Sequence, residues 1–147
     1  MSFLSSFDTH ASGLTAQRYR MDIIAQNVAN ANTTRTSDGT PYRRKSVIFQ
    51  EKTEGVGFAG VLGHATEKYR GKGVKVVSTF EDYSTDLVKA YDPSHPDADE
   101  NGYVYYPNVN IVTEMTNLID ASRSYEANAT AFNASKSMAM KGLEMGQ

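Results

Sequence analysis

The chain has 147 residues, no cysteine, and 15 basic against 17 acidic residues. Disulfides and thiolate metal sites are therefore excluded, and the near-neutral balance gives no reason to expect nucleic acid or an anionic membrane as partner. With 39% hydrophobic residues and a mean hydropathy of −0.49, the sequence is poor in material for one compact core, and it has no apolar run near the ~20 residues that span a bilayer.

The N-terminal MSFLSSFDTH lacks the basic and long apolar regions of a cleaved signal peptide. From there Leu4, Phe7, Ala11, Leu14, Arg18, Met21, Ala25, Val28 and Asn32 step by three and four, the period of a helical seam. One helix is expected from about Ser5 to about Asn32, with Gly13 tolerated inside it at about 1 kcal/mol relative to Ala. Thr33 to Pro41 reads as a polar, turn-rich loop. Tyr42 to Phe49, Val74 to Phe80, Leu87 to Tyr91 and Tyr103 to Tyr106 read as short strands. Gly55 to Gly63 reads as an irregular loop, and DPSHPDADENG as an exposed one. Such strands build a small β element rather than a large sheet.

The last third, Asn110 to Met145, repeats the helical pattern at Ile111, Met115, Leu118, Ser122, Tyr125, Ala129, Phe132, Lys136, Ala139 and Leu143. About 35 helical residues make a rod of roughly 50 Å, longer than a small domain needs. The expected fold is mainly α with a small β insertion. Long N- and C-terminal helices pack as an antiparallel coiled coil, residues 1–34 with 108–147, joined by an irregular β-containing segment, 35–107. The expected register sets Val28 near Met115, Met21 near Ser122, Leu14 near Ala129 and Phe7 near Lys136. Leu14, Met21, Val28, Met115, Leu118, Tyr125 and Phe132 are the expected packing residues. Asparagine is a poor helix former, so Asn27, Asn30 and Asn32 near one end, and Asn117, Asn128 and Asn133 in the other helix, stand out. Some of them are expected to fix register, as a buried seam Asn can, with helix ends and solvent the plainer alternative.

Motifs of catalysis are weak. Gly55-Val-Gly57-Phe-Ala-Gly60 matches GxGxxG in letters, but no strand leads into it and Gly63 interrupts any helix opening after it. Asp97-Ala-Asp99-Glu-Asn101-Gly102 begins like a calcium loop, but its twelfth position is Asn108 rather than Glu, and prolines flank it. A turn closing before Tyr103 explains it better. His10, His64 and His95 are scattered. No catalytic, cofactor-binding or metal-binding residue is expected.

Ile24-Ala-Gln-Asn27-Val-Ala-Asn30, then Thr33-Thr34 and Tyr42-Arg43-Arg44, resembles the N-terminal motif of the flagellar rod and hook proteins. Asn110-Ile-Val-Thr-Glu114-Met115, Ile119 and Ser122-Arg123-Ser-Tyr125-Glu126-Ala-Asn128 resembles their C-terminal motif. The likeness covers essentially the whole chain, except that Lys52 to Lys72 holds no family motif. It implies a structural subunit of the bacterial flagellar basal body, not an enzyme and without cofactors. Such a subunit leaves the cytoplasm uncleaved through the flagellar type III export apparatus and stacks helically into a torque-transmitting rod in the periplasm. The implied partners are other rod proteins and copies of itself, and the adaptor on the export-gate or MS-ring side, with no nucleic acid and no membrane insertion. Asn27, Asn30, Arg123, Glu126 and Asn128 are the expected register and assembly contacts. Read from the residues alone, two alternatives stay open: a stand-alone helical-hairpin adaptor module, and an enzyme using the Gly-rich or acidic loop.

Overall fold

A computed structural model describes residues 3–52 and 73–145. Among these, helix α1 (Phe3–Ala29) is followed by strands β1 (Lys45–Glu51), β2 (Val74–Glu81), β3 (Val88–Tyr91) and β4 (Tyr103–Tyr106), then by helix α2 (Ile111–Glu144). The mainly helical architecture with two long terminal helices and a small β insertion is the one expected. β1 pairs with β2, and β3 with β4, in separate two-stranded sheets. The Gly55–Gly63 loop, its GxGxxG and His64 lie outside the described residues.

Local chemistry fixes the boundaries. Asn110 caps α2: its Oδ1 accepts from the Thr113 amide at 3.2 Å and its carbonyl from the Glu114 amide at 2.9 Å, which satisfies amides a helix start otherwise leaves open. At the end of α1, Asn30 donates its Nδ2 to the Gln26 carbonyl at 2.9 Å and accepts the Thr33 amide on its own carbonyl at 3.0 Å. β1 begins at Lys45, three residues later than expected. The Tyr42 amide is taken by the Thr33 carbonyl and the Arg44 amide by the Asn108 side chain, so neither is free for a ladder.

The chain divides into two compact units, and each helix runs through both. Of the described residues, the first unit gathers 3–18, 49–52, 73–77 and 123–145. Phe7 of α1 meets Phe132 of α2 edge to face, with ring centroids 5.0 Å apart. A Cβ on Gly13 would stand 2.9 Å from Asn128 Oδ1, so the glycine is there to let the Asn128 side chain come close. Gly73, at φ +98, sits against Ser12, whose Oγ accepts from the Val74 amide at 3.1 Å and donates to the Thr9 carbonyl at 2.7 Å. Gln17 Oε1 is buried and has no hydrogen-bond partner among the described residues.

The second unit gathers Tyr19–Ile48 and Ser78–Ser122. Its β3–β4 hairpin is antiparallel, pairing Val88 with Tyr106 and Tyr91 with Tyr103, and it buries Val104 completely. Asp99 closes the hairpin loop by accepting the Asn101 and Tyr103 amides, each at 2.9 Å, while Gly102 takes φ +78 beneath Pro93 and the Tyr91 ring. The expected turn before Tyr103 is therefore built by Asp99 and Gly102.

The helix–helix contact is displaced from the expected seam. Asn27 rather than Val28 meets α2, at Glu114 rather than Met115; Gly13 rather than Leu14 meets Asn128 rather than Ala129; and Phe7 reaches Phe132, one turn short of Lys136. Met115 is 56% exposed and Tyr125 36% exposed, whereas Ala16, Asn27, Glu114 and Ala121 are buried. Leu14, Met21, Val28, Leu118 and Phe132 are half-buried, Phe132 against the Phe7 ring. The expected seam followed the largest apolar residues. The observed contact is made by small and hydrogen-bonding residues at Gly13, Asn27, Glu114 and Asn128 and by the Phe7–Phe132 ring pair, while Met115 is left outside.

Candidate functional site

The second unit is built on a buried polar junction. Asn27 and Glu114 are both 0% exposed, and no long polar side chain is buried alone without cost. Asn27 Nδ2 donates to Glu114 Oε2 and to the Lys45 carbonyl, both at 2.8 Å. Its Oδ1 accepts from the Tyr42 hydroxyl and the Lys45 amide, both at 2.9 Å. All four hydrogen bonds available to a primary amide are thereby made. The side chain mimics a peptide group pairing with the first residue of β1.

Glu114 receives Arg44 on its other oxygen, Oε1, with Nε at 2.9 Å and Nη2 at 2.8 Å. Asn117 approaches the same oxygen at 3.4 Å. Arg44 also donates Nη1 to Ser46 Oγ at 2.9 Å. The charge of Glu114 is thus matched by a guanidinium and by neutral donors, the condition under which a buried carboxylate is tolerated. Burial, then the negative charges of Glu81 and Glu114, push the Tyr42 hydroxyl above its ordinary range, which keeps it a donor to Asn27.

Asn108 carries the junction to the turn after β2. Its Oδ1 accepts from the Arg44 amide at 2.8 Å, and its Nδ2 donates to the Asp82 and Thr85 carbonyls at 3.0 and 3.2 Å. The Asp82 carboxylate accepts from the hydroxyls and amides of both Ser84 and Thr85. Those bonds, the Ser84 hydroxyl foremost, hold it well below the usual carboxylate range. Arg43 lies 4.5 Å over the Tyr83 ring and donates to the Asp82 carbonyl.

Of the residues expected to fix register, Asn27 is the one that lies in the junction. Asn30 caps the end of α1, and Asn128 lies against Gly13 with its Nδ2 on the Ser124 carbonyl. Arg123 and Glu126 are exposed and belong to no ion pair among the described residues. Sequence reasoning from periodicity did not single out Tyr42, Arg44, Asn108 or Glu114 as parts of one site. The signal was present, since Tyr42-Arg43-Arg44 and Asn110 to Glu114 lie in the two terminal motifs, but their meeting spans 70 or more residues of chain.

Asp97, the start of the calcium-like run, is engaged by the Thr34 hydroxyl at 2.8 Å and by Arg35 at 3.6 Å. Among the described residues, no three His, Asp or Glu side chains group as metal ligands, and no helix is long and apolar enough to cross a membrane. Among the described residues, no buried side-chain oxygen or nitrogen of the junction lacks a hydrogen-bond partner. Its product is mechanical: it ties α1, the entry to β1, the β2 turn and the start of α2 to one another.

A pair of long helices joined by a small β insertion, tied by buried amide and carboxylate groups and carrying exposed apolar side chains along α2, has the form of an axial assembly protein. Family models agree at both ends: residues 7–35 match the flagella basal body rod protein family, and residues 100–145 match the flagellar basal body rod FlgEFG protein C-terminal family. Over its full length the chain is 46% identical to the flagellar basal-body rod protein FlgC of Bacillus subtilis, 45% identical to that of Borreliella burgdorferi and 43% identical to that of Salmonella typhimurium, covering 99 or 100% of each. The chain belongs to the FlgC family of flagellar basal-body rod proteins. The helical-hairpin adaptor reading has no support among these relatives.

Proposed function

We propose that the chain is a structural subunit of the proximal rod of the bacterial flagellum, and that it works by assembly rather than catalysis. It takes its place in the periplasmic basal body alongside other rod proteins and copies of itself, and passes torque from motor to hook. The observation that carries this reading is the placement of apolar side chains: Val112, Met115, Ile119, Met138 and Leu143 of α2 are 54–75% exposed. A helix that keeps its largest apolar residues outward is arranged to be covered by neighbours. Load along such helices is shared over many contacts. Its neighbours would include the adaptor toward the export gate and the MS ring. Register contacts within the chain fall to Asn27, Asn30 and Asn128, and contacts between subunits to Arg123 and Glu126.

The test is replacement of the resident rod subunit in a motile bacterium by this chain, read by swimming and by its presence in purified basal bodies. Motility with the chain retained in the basal body supports the assignment. A motile cell whose basal bodies lack the chain refutes it.

A further inference from the structure

Each helix carries a second stripe on the side away from the one that pairs them. On α1 this stripe is Arg18, Asp22, Ala25 and Ala29; on α2 it is Met115, Ile119, Arg123 and Glu126, and all eight residues are exposed. At 100° per residue each set falls within about 80° of arc, and each lies roughly opposite the buried Asn27 or Ala121 of its own helix. None of the four charged residues belongs to an ion pair among the described residues.

The two stripes are complementary in charge and bulk in one direction only. Laid antiparallel, Arg18 faces Glu126, Asp22 faces Arg123, Ala25 faces Ile119 and Ala29 faces Met115. Two opposite-charge pairs form, and two large apolar side chains lie over two alanines, which leave the room that knobs need. A slip of one turn sets Arg18 against Arg123. The parallel order sets Arg18 against Met115 and leaves Glu126 over an alanine. Both faces point outward on the same chain, so they cannot meet each other within it.

We infer that the outward stripe of α2, Met115 to Glu126, docks antiparallel on the outward stripe of α1, Arg18 to Ala29, of a second copy of this chain. This rests on the assembly function proposed above and names the contact that carries it. The two surfaces differ, so the contact is heterologous. Each added copy presents the same free stripe again, which extends an open array rather than closing a pair.

The absence of cysteine makes the test clean. Two full-length copies are co-expressed in a flagellated host lacking its own subunit, one carrying Ala29→Cys and the other Met115→Cys, and basal bodies are oxidised. A disulfide-linked dimer that forms only when both variants are present is the expected result. Basal bodies that contain both variants but give no mixed dimer, or that give Ala29→Cys self-dimers, overturn the register while leaving the rod assignment standing. Absence of the unsubstituted chain from basal bodies in motile cells removes that assignment itself. Charge reversal gives a second readout: Asp22→Arg and Arg123→Asp should each shrink the swimming halo several-fold, and the double variant should recover most of it. A double variant no better than either single one also overturns the pairing.

Discussion

The Asn27 side chain bonds Glu114 at 2.8 Å across 87 positions of sequence. The same carboxylate holds Arg44, 70 positions before it. Helix pairing and the attachment of the middle segment are therefore one event. The start of β1 reaches its place only when α2 supplies the group that satisfies Asn27 and Arg44.

Removing that group should be costly. Glu114→Ala leaves the guanidinium and the amide facing each other without an acceptor, and breaking a largely buried ion pair from one side costs about 3 kcal/mol. Glu114→Gln keeps an acceptor for Arg44 and should cost less. Urea denaturation followed by circular dichroism orders the two, and the interpretation fails if Glu114→Ala is as stable as the parent.

Tyr42→Phe removes one of two donors to Asn27 Oδ1, while the Lys45 amide stays. The expected loss is about 1 kcal/mol, the net worth of an ordinary hydrogen bond. Asn108→Ala strips partners from one amide and two carbonyls and should cost more, about 2 kcal/mol. A reversed order in thermal melts would place the weight of the junction elsewhere.

Gly13 lies against Asn128, and its substitution has a conditional sign. Ala gains about 1 kcal/mol of helix propensity but meets Asn128 Oδ1 at 2.9 Å, so Gly13→Ala alone should be close to neutral. With Asn128→Ala added, the gain should emerge as a coupling in a double-mutant cycle. Independent, additive effects would mean the close approach does not matter.

Gln17 buries an acceptor that nothing among the described residues satisfies. An isosteric Gln17→Met removes the desolvated oxygen and keeps the volume, so it should stabilise by a few tenths to about 1 kcal/mol. A lower melting temperature for this variant counts against the burial of an orphan acceptor.

The Asp82 turn predicts a pH response. Its carboxyl is depressed in the folded chain, so its contribution is fully present above the unfolded pKa near 3.9 and fades as pH falls through the lower folded value. In a carbon-detected titration the Asp82 carboxyl should hold its ionised shift at pH values where exposed carboxyls have already protonated. Asp92, depressed chiefly by the Ser94 hydroxyl, should lag in the same direction. Titration of Asp82 together with the exposed carboxyls would show that the Ser84 and Thr85 bonds are absent in solution.

The helices and the β4 strand were legible because they depend on local patterns: a three-four step without proline, and alternation in Tyr103 to Tyr106. The phase of the seam was not. Choosing the stripe richest in Met, Leu and Tyr presumes that a chain buries its largest apolar groups within itself, and here Met115 and Tyr125 are exposed and the others only half-buried. The asparagines signalled that something other than propensity selected them, and for Asn27 the structure supplies the partners. Those partners, Tyr42, Arg44 and Glu114, carry no local periodicity, so only the resemblance placed Tyr42 and Arg44 in one motif and Glu114 in the other.

The buried apolar set among the described residues is small, with Ile23, Ile24, Tyr42 and Val104 its only large members. Heat capacity of unfolding scales with the apolar surface newly wetted, and exposed polar groups lower it. A chain joined by amides, a guanidinium and a carboxylate should therefore melt with a shallow calorimetric step, and its stability should vary little between cold and warm surroundings.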